Sequence, residues 1–219
     1  MTTYKNHFAK EKVLTRLIDE HGKLRLTRRQ NICVYLCGSI MSQQLSVKVA
    51  AVINQRFLAL FNGKEPSPAD ILAVPLTTLR SIGLSNAKSG YIHNVARFAA
   101  EKGMEVAKLD LMTDEEIITY LTEIKGVGRW TVEMLLMFAL GREDVFAVDD
   151  LGIQNAMIRF YKLDGTNKKT LKEDMIKRAR RWQPYRTYAC MYLWKGLTPV
   201  VPGAAAKVKT PKKALTRKA

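Results

Sequence analysis

Histidine and cysteine are scarce in this 219-residue chain, at three each. Cys33, Cys37 and Cys190 cannot supply the four closely spaced thiolates of an iron–sulfur cluster. Their small, odd number also argues against a disulfide framework and fits a reducing, intracellular compartment. Cys33 and Cys37 lie one helical turn apart, but no further ligands cluster nearby, so core packing is expected rather than a metal pair. No run reaches the roughly 18 apolar residues that a membrane span needs, and no membrane partner is expected. The N-terminal Met1-Thr2-Thr3-Tyr4-Lys5-Asn6-His7 lacks the apolar core of a signal peptide. Acids are few beside bases: 20 Asp and Glu against 36 Lys and Arg give a formal charge of +16. Such a charge favours polyanions, nucleic acid first, then acidic membranes or proteins.

What is present is helical. With 47% hydrophobic residues the chain can bury a core in one domain or two intimate lobes. An amphipathic helix is predicted over 7–21, ended by Gly22, and a buried helix over 29–41. Ser39 to Ser46 reads as a polar interruption, with Ser46 capping a helix over 47–60. Ser67-Pro68 opens the next helix. Leu79 to Ser85 suggests a helix–turn–helix, Ser85 capping residues 86–101. Lys88, in that first turn, could offer a phosphate contact, though a structural turn explains it as well. Thr113 to Glu116 and Thr170 to Glu173 read as capping boxes. Pro184 is expected to start a last helix, through Tyr188, Tyr192 and Trp194, stopped by Gly196. No strand pattern appears, so the fold class is all-α. After Pro202, Lys207, Lys209, Lys212, Lys213, Arg217 and Lys218 occur without an acid. Residues 201–219 are therefore expected to form a disordered basic tail.

The stretch from Leu121 to Phe160 carries the chemistry. A helix is predicted to end at Lys125, and a new one to begin at Arg129. Gly126 and Gly128 between them suit a turn with positive φ and close backbone approach. Such a turn leaves free N–H groups at the positive end of a helix, where phosphate binds. About twenty residues on, Asp149 and Asp150 open another helix. They could simply cap it, since acids are favoured there.

The pieces Gly126-Val127-Gly128-Arg129-Trp130-Thr131, Val145-Phe146 and Asp149-Asp150 resemble the helix-hairpin-helix DNA glycosylases, most nearly the AlkA-type 3-methyladenine branch. The resemblance covers roughly residues 30–198. It implies two helical lobes around a cleft, roughly 42–148 and 1–41 plus 149–200, within a folded domain of 1–200. It differs from the endonuclease III branch, which often carries an iron–sulfur cluster. Fewer than 30 residues precede the first buried helix, so the N-terminal β-rich domain common in the AlkA type is not expected.

The resemblance also implies roles. Family spacing puts the catalytic acid three residues before an apolar position, here Ile153, which selects Asp150 and leaves Asp149 as helix cap or neighbour. Trp130 and Trp194 match aromatics of the base pocket. Gln44, with Gln43 beside it, matches the wedge that enters the duplex. Lys125, Gly126, Val127, Gly128 and Arg129 match the DNA-anchoring hairpin. The main-chain carbonyls of Thr122, Ile124 and Val127 match a monovalent-cation site, with no cofactor otherwise required. Relatives that nick the strand carry Lys where Trp130 stands, so a monofunctional enzyme is expected. The implied partner is double-stranded DNA containing damaged bases. The protein is expected to be a monomer, intracellular and DNA-associated, in a bacterial cytoplasm or a nucleus. A glycosylase for oxidised or mismatched bases, and a non-catalytic DNA-binding module, are the competing readings.

Overall fold

The computed structural model describes residues 3–197, so the tail expected over 201–219 lies outside it. The described residues form helices and no strand. In chain order these are α1 (Tyr4–His7), α2 (Lys12–His21), α3 (Ile32–Ser42), α4 (Val47–Ala59), α5 (Pro68–Ala73), α6 (Leu76–Ser81) and α7 (Asn86–Lys102). They continue with α8 (Val106–Asp110), α9 (Asp114–Thr122), α10 (Arg129–Phe138), α11 (Leu151–Tyr161), α12 (Lys168–Ala179) and α13 (Arg186–Leu197). None of them is long and apolar enough to cross a membrane.

The starts follow local chemistry. Ser46, Ser67, Ser85 and Thr113 each accept a bond from the third residue of their helix, as the sequence predicts. Asp70 and Glu116 complete reciprocal boxes at α5 and α9. At α12 the expected box at Thr170 is absent. Asn167 caps instead, accepting from the amides of Lys169 and Thr170 at 2.9 and 3.2 Å. The helix predicted over 7–21 is broken at Glu11, which precedes α2. The polar interruption after α3 shrinks to 43–46, because α3 runs through Ser42. The final helix begins at Arg186 and contains Gly196. A Cβ there would meet Leu17 Cδ2 at 2.7 Å and the Phe160 ring at 3.0 Å, so this glycine serves close packing rather than helix termination.

Packing sorts the helices into two groups. α7 packs against α3, α5 and α6, and α3 also against α4 and α10. α13 packs against α2 and α11, and α11 against α12. The sequence reading grouped residues up to 41 with the C-terminal helices, yet α3 sits with α4 and α7. The reason is its composition: Ile32, Cys33, Leu36, Cys37, Ile40 and Met41 are all buried, so it needs apolar partners all round. Cys33 and Cys37 are free thiols in that core, and no cluster of three or more His, Cys, Asp or Glu that could hold a metal ion occurs among the described residues. Trp182 is fully buried, against Phe146 and Tyr161 at 5.9 and 5.6 Å between ring centroids.

Candidate active site

The ends of α10, α11 and α13 converge on one carboxylate. Asp150 is the N-cap of α11, its Oδ1 accepting from the Ile153 amide at 2.8 Å. The indole N–H of Trp194, on α13, donates to the same oxygen at 2.7 Å. The indole N–H of Trp130, in the first turn of α10, donates to Oδ2 at 2.8 Å. Hydrogen bonds to a charged acceptor contribute roughly 1.5–3 kcal/mol each. The carboxylate is therefore fixed in position and plane while staying half-buried.

Of the two roles expected for Asp149, helix cap or neighbour of the acid, the structure gives it the second. It is exposed and pairs with Lys172 on α12. An N-cap has to point back at its own third residue, and only Asp150 is placed to do so.

Gly152, which the sequence reading passed over, makes the cluster possible. A Cβ on it would lie 2.9 Å from Trp194 Cδ1 and 3.0 Å from Asp150 Oδ1. A glycine two residues after an N-cap acid was the available signal.

Trp130 also faces a cavity of about 830 Å³, lined among others by Tyr35, Gln43, Gln44, Met134 and Phe138. The Tyr35 hydroxyl is anchored on the Met134 carbonyl at 3.2 Å. Trp130 is 44% exposed, so one indole serves both the acid and the cavity wall. Trp194, expected in the same pocket, is not among the lining residues. Its ring packs near Phe138, at 5.9 Å between centroids, and its N–H is directed at Asp150. Tyr35, Met134 and Phe138 escaped the sequence reading because they sit inside apolar helices and look like core.

The hairpin leads into this cluster. Gly126 has φ 106°, and a Cβ would fall 2.3 Å from the Tyr91 ring, so both conformation and packing demand glycine. Gly128 differs from expectation: its φ is −99°, which any residue adopts, and open space surrounds its missing Cβ. Val127 is buried and Lys125 exposed. Arg129 is engaged within the protein. Its guanidinium donates to Glu115 at 3.0 Å and, through Nε, to Glu133 at 3.1 Å, which ties α9 to α10. Two acids thus compensate the charge of this residue of the expected DNA-anchoring hairpin. Burial pushes the Glu133 carboxyl above its ordinary pKa, and Arg129 opposes that shift. On the far rim, Gln44 adopts φ 58°, the left-handed region that non-glycine residues enter at about 1–2 kcal/mol.

Comparison with known proteins gives a consistent picture. The family model described as HhH-GPD superfamily base excision DNA repair protein matches residues 37–183. DNA-3-methyladenine glycosylase 1 of Schizosaccharomyces pombe is 35% identical over 187 residues, 84% of this chain and 80% of that protein. The crystal structure of a DNA-3-methyladenine glycosidase from Bacillus halodurans superposes with TM-score 0.76 at 35% identity, covering 88% of this chain and 87% of that one. A fission-yeast 3-methyladenine DNA glycosylase in complex with abasic DNA superposes with TM-score 0.77 at 32% identity, covering 89% and 96%.

Proposed function

Because the chain belongs to the HhH-GPD superfamily of base excision DNA repair proteins, we propose that it is a monofunctional DNA glycosylase for alkylated purines. It hydrolyses the N-glycosidic bond of 3-methyladenine and 7-methylguanine flipped out of duplex DNA and leaves an abasic site. The observation that carries this reading is the Asp150 carboxylate, held by two indole N–H groups and an amide, with one of those indoles facing a cavity of about 830 Å³.

A paired base is inaccessible, so it must leave the stack. Gln43 and Gln44 fill the gap it leaves, a role supported by their lying along the cavity wall. Alkylated purines are cationic. The exposed face of Trp130 attracts them by stacking and cation–π interaction, about 1–2 kcal/mol when desolvated. As the C1′–N bond breaks, its electron pair leaves with the base and positive charge develops on the sugar. Asp150 stabilises that charge, and as the water oxygen bonds to C1′ the O–H bond facing Asp150 breaks and its proton passes to the carboxylate. A cationic base is a good leaving group, so no strong general acid is required. Trp130 offers no amine for a Schiff base, so the strand stays intact.

The hairpin amides anchor the backbone. The open space over Gly128 supports close approach of a phosphate there. The carbonyls of Thr122, Ile124 and Val127 are neutral oxygen donors and suit a monovalent cation. The Ile124 carbonyl already accepts from the Val127 amide at 2.9 Å and would bind such an ion with its second lone pair. Asp150 and its indole donors favour catalysis over a plain DNA-binding module, and the cavity's indole face favours cationic bases over oxidised or mismatched ones.

The test is base release from duplex DNA carrying alkylated purines, with the strands analysed before and after alkali. Free 3-methyladenine or 7-methylguanine with strands intact until alkali is expected. Tight binding without release would return the chain to the binding-module reading, and prompt nicking would rule out a monofunctional mechanism.

A further inference from the structure

The first turn of α7 carries a lysine whose ammonium is bonded to backbone rather than to an acid. Lys88 Nζ donates to the Met41 carbonyl at 3.0 Å and to the Gln43 carbonyl at 2.7 Å. These groups lie where α3 ends, at the negative pole of its dipole and among carbonyls that lack helical partners. No ion pair of Lys88 occurs among the described residues.

The loop it grips has little else to hold it. Gln44, Leu45 and Ser46 are exposed, and Val47 is 89% exposed, so no core packing fixes this segment. Its own turn bonds are long, 3.3 Å from the Gln43 amide to Ile40 and 3.2 Å from the Leu45 amide to Ser42. The nearby amide of Asn54 reaches the Ser42 hydroxyl only at 3.5 Å. Gln44 must also stay in the left-handed region. An exposed turn with long bonds and an unfavourable φ frays unless something ties it, and the ammonium is the short, charge-assisted tie present.

We infer that Lys88 is a positioning residue that locks the 43–46 loop in the shape needed to open a duplex. The structural half of this inference stands on the geometry above, and the catalytic half rests on the proposed function. A preformed loop enters the stack without being ordered at that moment. Lys88 touches neither base nor sugar in this role.

The experiment compares wild type with Lys88→Met in two readouts. Hydrogen exchange in the free protein reads the lock without any substrate. The Gln43 and Leu45 amides should exchange about tenfold faster in the mutant while Ile92 to Phe98 keep their protection. Unchanged protection in the loop, or a loss spread evenly over the fold, would overturn the inference. Base release reads the consequence. On a fully paired alkylated duplex the mutant should lose about tenfold in kcat/KM, and the loss should shrink when the lesion sits opposite a mismatch or in a bulge, where opening is already done. Equal losses in both settings would make Lys88 a fold residue and overturn its role in opening. If wild type releases no base from either duplex, the proposed function fails while hydrogen exchange still decides the lock.

Discussion

Gly152→Ala sets helix propensity against site geometry. Gly152 lies in the first turn of α11. Propensity alone predicts that alanine stabilises the helix, by up to about 1 kcal/mol. The packing predicts the reverse. The new methyl would sit 2.9 Å from Trp194 Cδ1, 3.0 Å from Trp194 Nε1 and 3.0 Å from Asp150 Oδ1. Two of these atoms, Trp194 Nε1 and Asp150 Oδ1, are the donor and acceptor of the bond that orients the carboxylate. Trp194 cannot retreat freely, because its ring packs near Phe138. The 2.7 Å bond from Trp194 to Asp150 must lengthen or break. Overpacking costs about 1–3 kcal/mol, which outweighs the propensity gain. Loss of a charge-assisted bond of roughly 1.5–3 kcal/mol, if it acts mainly in the transition state, lowers kcat about 10- to 100-fold. Thermal unfolding and single-turnover base release together measure both effects. A mutant with a higher Tm and unchanged kcat would refute the reasoning, since it would mean that Trp194 does not hold Asp150 in the working enzyme.

Other perturbations separate the hairpin's parts. Arg129→Ala leaves the buried Glu133 without its partner and should cost about 1–3 kcal/mol, a figure reduced by the half-exposure of Arg129, as read by denaturant unfolding. Lys125→Ala should leave stability within about 0.5 kcal/mol of wild type and lower the salt dependence of DNA binding by about one counterion, as read by titration at several salt concentrations. Glu133→Gln tests the buried carboxyl. Because the folded-state pKa of Glu133 is raised above its ordinary 4.5, its favourable contribution is full below that value and is lost as pH rises through the folded pKa. Glutamine is neutral throughout, so the Tm of the mutant should gain on wild type between pH 4 and pH 7, and a difference moving the other way would contradict the assignment.

The all-helical class was legible because periodic apolar positions and capping residues announce themselves locally. Ser46, Ser67, Ser85 and Thr113 cap as their spacing suggests. Asp150 and Trp130 stood out separately, as acid and pocket aromatic, through the family resemblance; the bond between them appears only in the structure. What the sequence did not show depended mostly on contacts distant in sequence. Arg129, expected in the DNA-anchoring hairpin, also pairs with Glu115 from α9 and with Glu133 four residues on. Trp194 read as a pocket wall, yet its N–H is directed at the acid. Gly196 looked like a helix stop, but Leu17 and Phe160 require its smallness. Asp149 and Asp150 were equal candidates for the cap by type, and the choice between them lies in which side chain turns back on the Ile153 amide.

The most direct test of the central claim is single-turnover release of 3-methyladenine from duplex DNA by Asp150→Asn beside wild type and Asp149→Asn. In Asp150→Asn an amide N–H2 would face either the Trp130 N–H or the Trp194 and Ile153 N–H groups, so both charge and geometry are lost. Release should fall at least about a hundredfold in Asp150→Asn, and Asp149→Asn, which touches only the exposed pair with Lys172, should stay near wild type. Full activity in Asp150→Asn, or loss confined to Asp149→Asn, would contradict the account.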